Sequence, residues 1–152
     1  MKNMKDLELY HKYPQILAFG FINPDEITDP KYWLEPISCY GIQCDYGWYA
    51  IIDKTLLKIH KLCKQENALD KVRIVQIKEK FGGLRIHYEF LGVINDNCKE
   101  MIAKHIRDAE IEASKTCEQC GNPGKLVRKD WIETLCWKCR IKDFFGHINI
   151  FK

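Results

Sequence analysis

The chain has 152 residues, of which 46% are hydrophobic and 30% charged, and its formal net charge is +3. Four Trp, seven Tyr and seven Phe residues supply enough apolar surface to bury, which excludes general disorder. No apolar run approaches the roughly 18 residues of a membrane-spanning helix. Residues 1–15 lack the apolar stretch of a signal peptide. We therefore expect an intracellular protein without a membrane partner.

The charge is distributed unevenly along the chain. Residues 115–152 contain eight Lys and Arg against four Asp and Glu, whereas residues 1–114 contain sixteen against seventeen. This bias is too small to indicate nucleic-acid binding by charge alone. In a reducing compartment, the eight cysteines favour metal ligation or buried thiols over disulfides.

Residues 1–44 combine prolines with interleaved aromatic residues. Proline removes a backbone donor and disfavours helix at the preceding residue, so we expect an irregular segment with short elements. The favoured interpretation is an apolar wrap that packs on the core, and the alternative is a recognition arm. The aromatic residues concerned are Tyr10, Tyr13, Phe19, Phe21, Tyr32, Trp33 and Tyr40.

Two helices are predicted from apolar residues that recur at three- and four-residue spacing. The first runs from about Tyr46 to Gln65, with Asp45 as its N-cap. The second runs from about Asp96 to Ser114, where Asn97 and Glu100 have capping-box spacing. The stripe of the first helix comprises Trp48, Tyr49, Ile52, Leu56, Ile59 and Cys63. The stripe of the second comprises Ile94, Cys98, Met101, Ile102, His105, Ile106, Ala109 and Ala113.

A β-hairpin is predicted over 72–90, because Gly82-Gly83 is a two-residue turn signal between two β-rich runs. This turn would pair Ile77 with Tyr88. One face of the hairpin would be mostly apolar. Glu79 would lie on that face, which indicates a bulge, a fraying end or a functional carboxylate.

The other face of the predicted hairpin carries a row of cations, which we name the basic strip. Its members are Lys78, Lys80, Arg85 and His87. An ordinary solvated sheet face is one interpretation, since antiparallel sheets often leave one side in water. A contact surface for a partner is the other interpretation.

The most specific pattern is a pair of Cys-x2-Cys motifs, Cys117/Cys120 and Cys136/Cys139, separated by fifteen residues. This spacing is typical of zinc ribbons. Two intervening residues let a tight turn present both sulfurs to one ion, and two such knuckles complete a tetrahedral S4 shell. We therefore predict one structural Zn²⁺, with two short strands between the knuckles. A closed shell leaves no position for a substrate.

The remaining cysteines give a weaker pattern. Cys39, Cys44, His60 and Cys63 could in principle form a second metal site. Cys63 also fits the buried stripe of the first helix, and free cysteine often behaves as a small buried hydrophobe. We favour ordinary thiols over a second site.

No catalytic constellation is evident in the sequence. Nucleases of the HNH type also contain two zinc knuckles, but they need a histidine between them. No histidine lies between Cys120 and Cys136, and His147 and Asn149 follow the second knuckle. A serine nucleophile elbow, a phosphate-binding glycine loop and an HExxH motif are also missing from the sequence. We expect a protein that is not an enzyme, and a nuclease is the third alternative.

Three segments resemble a family of small uncharacterised proteins of bacteria, phages and prophages. They are the Gly47-Trp48 start of the first helix, the segment IKEKFGGLRIHY at 77–88, and TCEQCGNPGKL followed by TLCWKC. The match covers roughly 40–140. The resemblance implies this architecture and a setting in the cytoplasm of a bacterial host cell, and it implies no activity.

We predict an α+β protein in which two helices pack on a β-hairpin or small antiparallel sheet, with a C-terminal zinc ribbon-like module. Residues 1–115 would form the core domain, including the wrap of 1–44, and 116–152 a zinc module packed on it. We expect a binding protein with a protein partner, and a phage accessory factor would fit. The predicted contact residues are the basic strip with Arg128 and Lys129. The alternative is nucleic-acid binding through the same residues together with Lys125, Lys138, Arg140 and Lys142.

Overall fold

The computed structural model describes residues 4–17, 42–128 and 131–148, with side chains up to Lys142 in the last helix. Within these ranges the chain is an α+β protein, as predicted. Its helices are α1 Met4–Lys12, α2 Pro14–Leu17, α3 Tyr49–Gln65, α4 Asp96–Ala113 and α5 Trp137–Ile148. Its strands are β1 Ile42–Gln43, β2 Val72–Lys80, β3 Gly83–Phe90, β4 Lys125–Arg128 and β5 Ile132–Leu135.

The N-terminal helices are anchored on α3. Tyr10 and Tyr13 are almost completely buried, which confirms that these two aromatic residues pack on the core. The Tyr13 hydroxyl donates to Asp53 Oδ1 at 2.6 Å, and Lys12 Nζ lies 2.7 Å from the same carboxylate. The aromatic residues predicted to pack from 19 to 40 lie outside the described residues.

The first predicted helix is present, although it starts differently from the expectation. A 3₁₀ turn, Tyr46–Trp48, precedes α3, and the Asp45 side chain makes no capping hydrogen bond. Asp45 therefore occupies the predicted N-cap position, but its side chain does not cap the turn. All residues of the predicted apolar stripe are buried, namely Trp48, Tyr49, Ile52, Leu56, Ile59 and Cys63.

The hairpin is present, but its turn lies one residue earlier than predicted. Phe81 and Gly82 are the two central residues, and both have positive φ, 53° and 75°, as a type I′ turn requires. Ile77 therefore pairs with Ile86 instead of Tyr88. The Gly82 N–H donates to Glu79 Oε1 at 2.6 Å, which closes the turn.

From Gln76 to Lys80 the two faces of the hairpin keep the predicted composition in spite of the register error. Each of these residues pairs with a residue of β3 two positions earlier than predicted, and an even shift leaves every side chain on its face. A bulge at Val75 changes the register further along the strands. The edge strand β1 pairs with β2 in parallel, so the sheet is mixed and not wholly antiparallel.

The second predicted helix is also present, but its cap was assigned to the wrong residue. Asn95 is the N-cap, and its side chain accepts the Cys98 N–H at 2.7 Å. Asn97 therefore lies inside α4. The Lys54 ammonium on α3 lies 2.5 Å from a carboxylate oxygen of Glu112 on α4.

Two clusters of buried side chains organise the described part of the chain. The larger cluster combines the apolar faces of the first four helices with the inner face of the three-stranded sheet. The smaller cluster contains three of the paired cysteines with Val127 and Leu135. No described helix has the length and apolar character needed to cross a membrane.

Candidate metal centre

The four cysteines of the paired motifs converge on one point. The sulfur atoms of Cys117, Cys120, Cys136 and Cys139 all lie within 4.8 Å of one another. Cys120 Sγ and Cys136 Sγ are 3.6 Å apart. Sulfurs bound to one tetrahedral zinc ion at 2.3 Å would be separated by roughly 3.8 Å, so this spacing fits a single ion.

Each motif folds as a knuckle whose backbone and side chains support the sulfurs. In the first, Gly121 N–H donates to Cys117 O at 2.9 Å, and Gly121 has a φ of 77°, a conformation that favours glycine. The Asn122 side chain donates to Cys120 Sγ at 3.3 Å. In the second, Cys139 N–H points at Cys136 Sγ across 3.4 Å.

The protonation of the thiols also suits a bound cation. Hydrogen bonding from the Asn122 backbone lowers the pKa of Cys120 to about 6, so this sulfur is ready to act as a thiolate. Burial raises the pKa of Cys117 and Cys139. A metal ion that binds these two sulfurs would displace their protons into the solvent. The set of four sulfurs can therefore hold a metal ion such as zinc.

Comparisons with models of known protein families, with curated proteins and with solved structures give no match for this chain. The function must therefore be argued from the arrangement of its own residues.

The first knuckle packs directly on the start of α3. Gly47 N–H donates to Glu118 O at 2.6 Å, and the Trp48 indole N–H donates to Thr116 O at 2.8 Å. A Cβ on Gly47 would overlap the carbonyl oxygens of Cys117 and Glu118. Glycine is therefore required here by the close approach of two backbones. The buried Trp48 side chain holds the same two segments together through its bond to Thr116.

The tip of the hairpin makes a second junction with the metal-binding part of the chain. The hydroxyl of Thr134, a fully buried residue, donates to Gly82 O at 2.6 Å. A Cβ on Gly82 would overlap the Leu126 side chain. Two separate contacts, one with the start of α3 and one with the tip of the hairpin, thus fix the metal-binding part on the core.

Replacing Thr134 with valine should lower the free energy of unfolding by about 1–3 kcal/mol, because the buried Gly82 carbonyl loses its donor. Urea unfolding of the metal-loaded protein would measure this change. Thr134→Ser is the matched control, since it keeps the hydroxyl and should retain more stability than valine. An unfolding midpoint of Thr134→Val equal to that of the wild type would contradict the role of this bond.

Of the residues considered for a second metal site, the three that the structure describes do not form a metal-binding group. Among the described residues, only the four paired cysteines form a potential metal-binding group. Cys63 is buried in the core and the His60 ring packs on Tyr13 with 5.8 Å between centroids. Burial and nearby acidic groups raise the pKa of Cys44, and Cys39 lies outside the described residues.

The basic strip lies on one face of the sheet, as predicted from the alternation of side chains along a β-strand. Lys78 is directly opposite Arg85, and Lys80 and His87 lie two residues along the same face. Like charges in directly opposite positions destabilise a strand pair. Neither Lys78 nor Arg85 forms an ion pair with a described acidic residue. Arg128 is exposed at the end of β4, and Lys129 lies outside the described residues.

A pocket that the sequence analysis did not predict lies between the hairpin and the metal-binding part. Its volume is about 350 Å³, and four carboxylates line it, those of Asp45, Glu79, Glu118 and Glu133. Glu118 is 7% exposed. Burial and the charges of the other three acids raise its pKa to about 7. Only the unexpected position of Glu79 on the apolar face pointed to this pocket.

Replacing Glu118 with glutamine should stabilise the folded protein above neutral pH. Because its folded pKa is about 7 and its ordinary value 4.5, wild-type stability falls as the pH rises between these values. Glutamine keeps an oxygen for the Asp45 N–H. The expected gain near pH 8 is about 1–2 kcal/mol after allowance for solvent screening.

Urea unfolding of metal-loaded protein near pH 6 and pH 8 would test this pH dependence. The advantage of Glu118→Gln should grow over that interval. Glu100→Gln, at an exposed position on α4, is the control and should show no such growth. A constant difference between Glu118→Gln and the wild type would contradict the assignment.

Proposed function

We propose that this chain is a zinc-stabilised binding protein without catalytic activity, and that its partner is a protein. Zinc is the ion best suited to four closely spaced thiolates in a closed shell. The ion would hold the two knuckles together, and the knuckles in turn pack on Gly47 and on the hairpin tip. Its role would be to build a surface rather than to perform chemistry.

The observation that carries the proposal is a group of exposed apolar side chains where the hairpin tip meets the knuckles. Phe81 is 71% exposed, Trp131 70% and Leu126 44%. We name these three residues the junction face. Exposed apolar residues grouped in this way mark interaction sites, and aromatic residues are enriched among those that dominate binding energy.

The charges beside the junction face favour a protein over a nucleic acid. Trp131 lines the pocket that contains four carboxylates, which would repel phosphate groups at this place. The basic strip lies on the other face of β2 and β3. Together the two regions offer apolar, negative and positive contacts, a mixture typical of interfaces between proteins.

Affinity capture from the bacterial host with the tagged, metal-loaded chain, followed by mass spectrometry, would test the proposal. We expect a host protein that the wild type retains and that the Phe81→Ser and Trp131→Ser double variant loses. Met4→Ser is the control, because Met4 is equally exposed on α1, at 80%. Equal capture by the double variant and the control would contradict the junction face. The resemblance to phage and prophage proteins motivates an accessory role against a host protein.

The basic strip has its own test, with charge reversal of Lys78, Lys80, Arg85 and His87. If the captured protein still binds the variant with all four charges reversed, it does not contact the basic strip.

Nucleic-acid binding is the second candidate function. It is favoured by the opposed cations Lys78 and Arg85, which form no ion pair with a described acidic residue. Phosphate oxygens would relieve the repulsion between these two cations. This hypothesis predicts an affinity for DNA or RNA that falls steeply with salt. Binding that is independent of salt, or the absence of binding at low salt, would exclude it.

A further inference from the structure

The pocket beside the junction face is built from parts of the chain that are distant in sequence. Asp45 follows β1, Glu79 is in β2, Glu118 is in the first knuckle, and Trp131 with Glu133 belongs to the segment around β5. The pocket therefore exists only when the knuckles pack on the core. It is continuous with the junction face, because Trp131 lines the one and belongs to the other.

The described lining has one sign of charge. Among the lining residues that the structure describes, none is Lys, Arg or His. Asp45, Glu79 and Glu118 form no ion pair with any described residue. Carboxylates concentrated in this way repel one another and attract a cation.

The fold needs the shape of these side chains more than their charge. The Asp45 carboxylate makes no capping bond, so an asparagine would serve the 3₁₀ turn equally well. Glu79 accepts one backbone N–H, from Gly82, which a glutamine oxygen would also accept. The negative charge at both positions therefore has no structural use within the described part of the chain.

We propose that this pocket receives a lysine or arginine side chain of the partner protein, flanked by apolar residues that pack on Phe81, Leu126 and Trp131. This proposal rests on the proposed protein-binding function and names the chemistry of the partner. The volume of about 350 Å³ accommodates one long basic side chain with water. An exposed indole at the rim adds a cation–π contact and apolar surface for the aliphatic stem.

The shape and chemistry of the face argue against a nucleic acid or an acidic peptide as its occupant. A phosphate or carboxylate would enter a pocket that already contains four acids. An uncharged apolar segment would cover the carboxylates of Asp45, Glu79 and Glu118 without pairing them, and burying unpaired charges is costly. A basic residue between apolar ones would pair with the carboxylates of the pocket, and its apolar neighbours would pack on the junction face.

Selection from a displayed library of random seven-residue peptides on the metal-loaded protein would test the proposal. We expect the enriched peptides to contain Lys or Arg next to apolar residues. Their Kd should rise at least tenfold in the Asp45→Asn and Glu79→Gln double variant. Both substitutions keep the hydrogen-bonding oxygens, and metal content with thermal unfolding would confirm that the variant is folded. Glu100→Gln is the control and should change Kd less than twofold.

The possible outcomes separate this proposal from the proposed function. Enrichment of acidic or uncharged peptides, enrichment of none, or an unchanged Kd in the double variant would overturn the pocket assignment. If the captured host protein is lost with Phe81→Ser and Trp131→Ser but kept with the double pocket variant, the binding function stands and the pocket assignment fails. If the wild type captures no host protein while basic peptides bind as expected, the pocket does bind basic side chains. The proposal of a host protein as the partner would then be rejected.

Discussion

Cys117→Ser should abolish stoichiometric metal binding and unfold the knuckles and the strands between them. The reason is energetic, because binding of a structural zinc ion supplies about 10–16 kcal/mol at neutral pH. The smaller buried cluster contains only five side chains, three of them cysteine, and could not replace that contribution. We expect about one zinc ion per wild-type chain and a strong loss in the variant. Cys136→Ser should behave in the same way.

Metal analysis and limited proteolysis together would measure this effect. Cleavage of the variant should concentrate between residues 116 and 142, while the larger core resists. Cys44→Ser is the matched control, since Cys44 is half-buried and outside the cluster, and it should keep its zinc. A metal-free wild-type protein that is folded and resists protease would contradict the metal centre.

Gly47→Ala should separate the core from the knuckles without removing the metal. The new Cβ would lie 2.6 Å from the Glu118 carbonyl carbon and closer still to two carbonyl oxygens. Backbone atoms cannot rotate away as a flexible side chain can, so one module must move. We expect the variant to lose about 3 kcal/mol or more of folding free energy.

Hydrogen exchange would locate the change that Gly47→Ala produces. The amides of Gly47, Glu118 and Gly121 should exchange faster, and the zinc content should remain at one per chain. Gly92→Ala is the control, because its Cβ would meet only the Lys71 side chain, at 3.4 Å. Unchanged exchange at the first knuckle of the Gly47→Ala variant would show that this contact does not hold the modules together.

Local patterns predicted the elements of this fold well. The apolar stripes of α3 and α4 follow from helical periodicity, and the knuckles follow from the fixed Cys-x2-Cys spacing. In each case the residues that decide the structure are near one another in sequence. The two short strands predicted between the knuckles are also present, at Lys125–Arg128 and Ile132–Leu135.

The turn of the hairpin, the cap of α4 and the pocket were predicted less well. The Gly82-Gly83 pair suggested a turn at both glycines, but Glu79 and Thr134 hydrogen-bond Gly82 and place the turn at Phe81. Asn97 was predicted as the cap of α4, whereas the side chain of Asn95, two residues earlier, makes the capping bond. The pocket could not be predicted, because its carboxylates come from four segments that meet only after folding.

At Phe81 the residue that would give the most stable fold differs from the residue that gives the surface an apolar contact. A left-handed conformation costs a residue other than glycine about 1–2 kcal/mol, and asparagine or glycine would occupy this corner more comfortably. Phenylalanine adds a second cost, since most of its ring stays in water. A protein engineer who optimised only the melting temperature would replace this residue first. The same change would erase the most prominent apolar contact that the hairpin offers to another molecule.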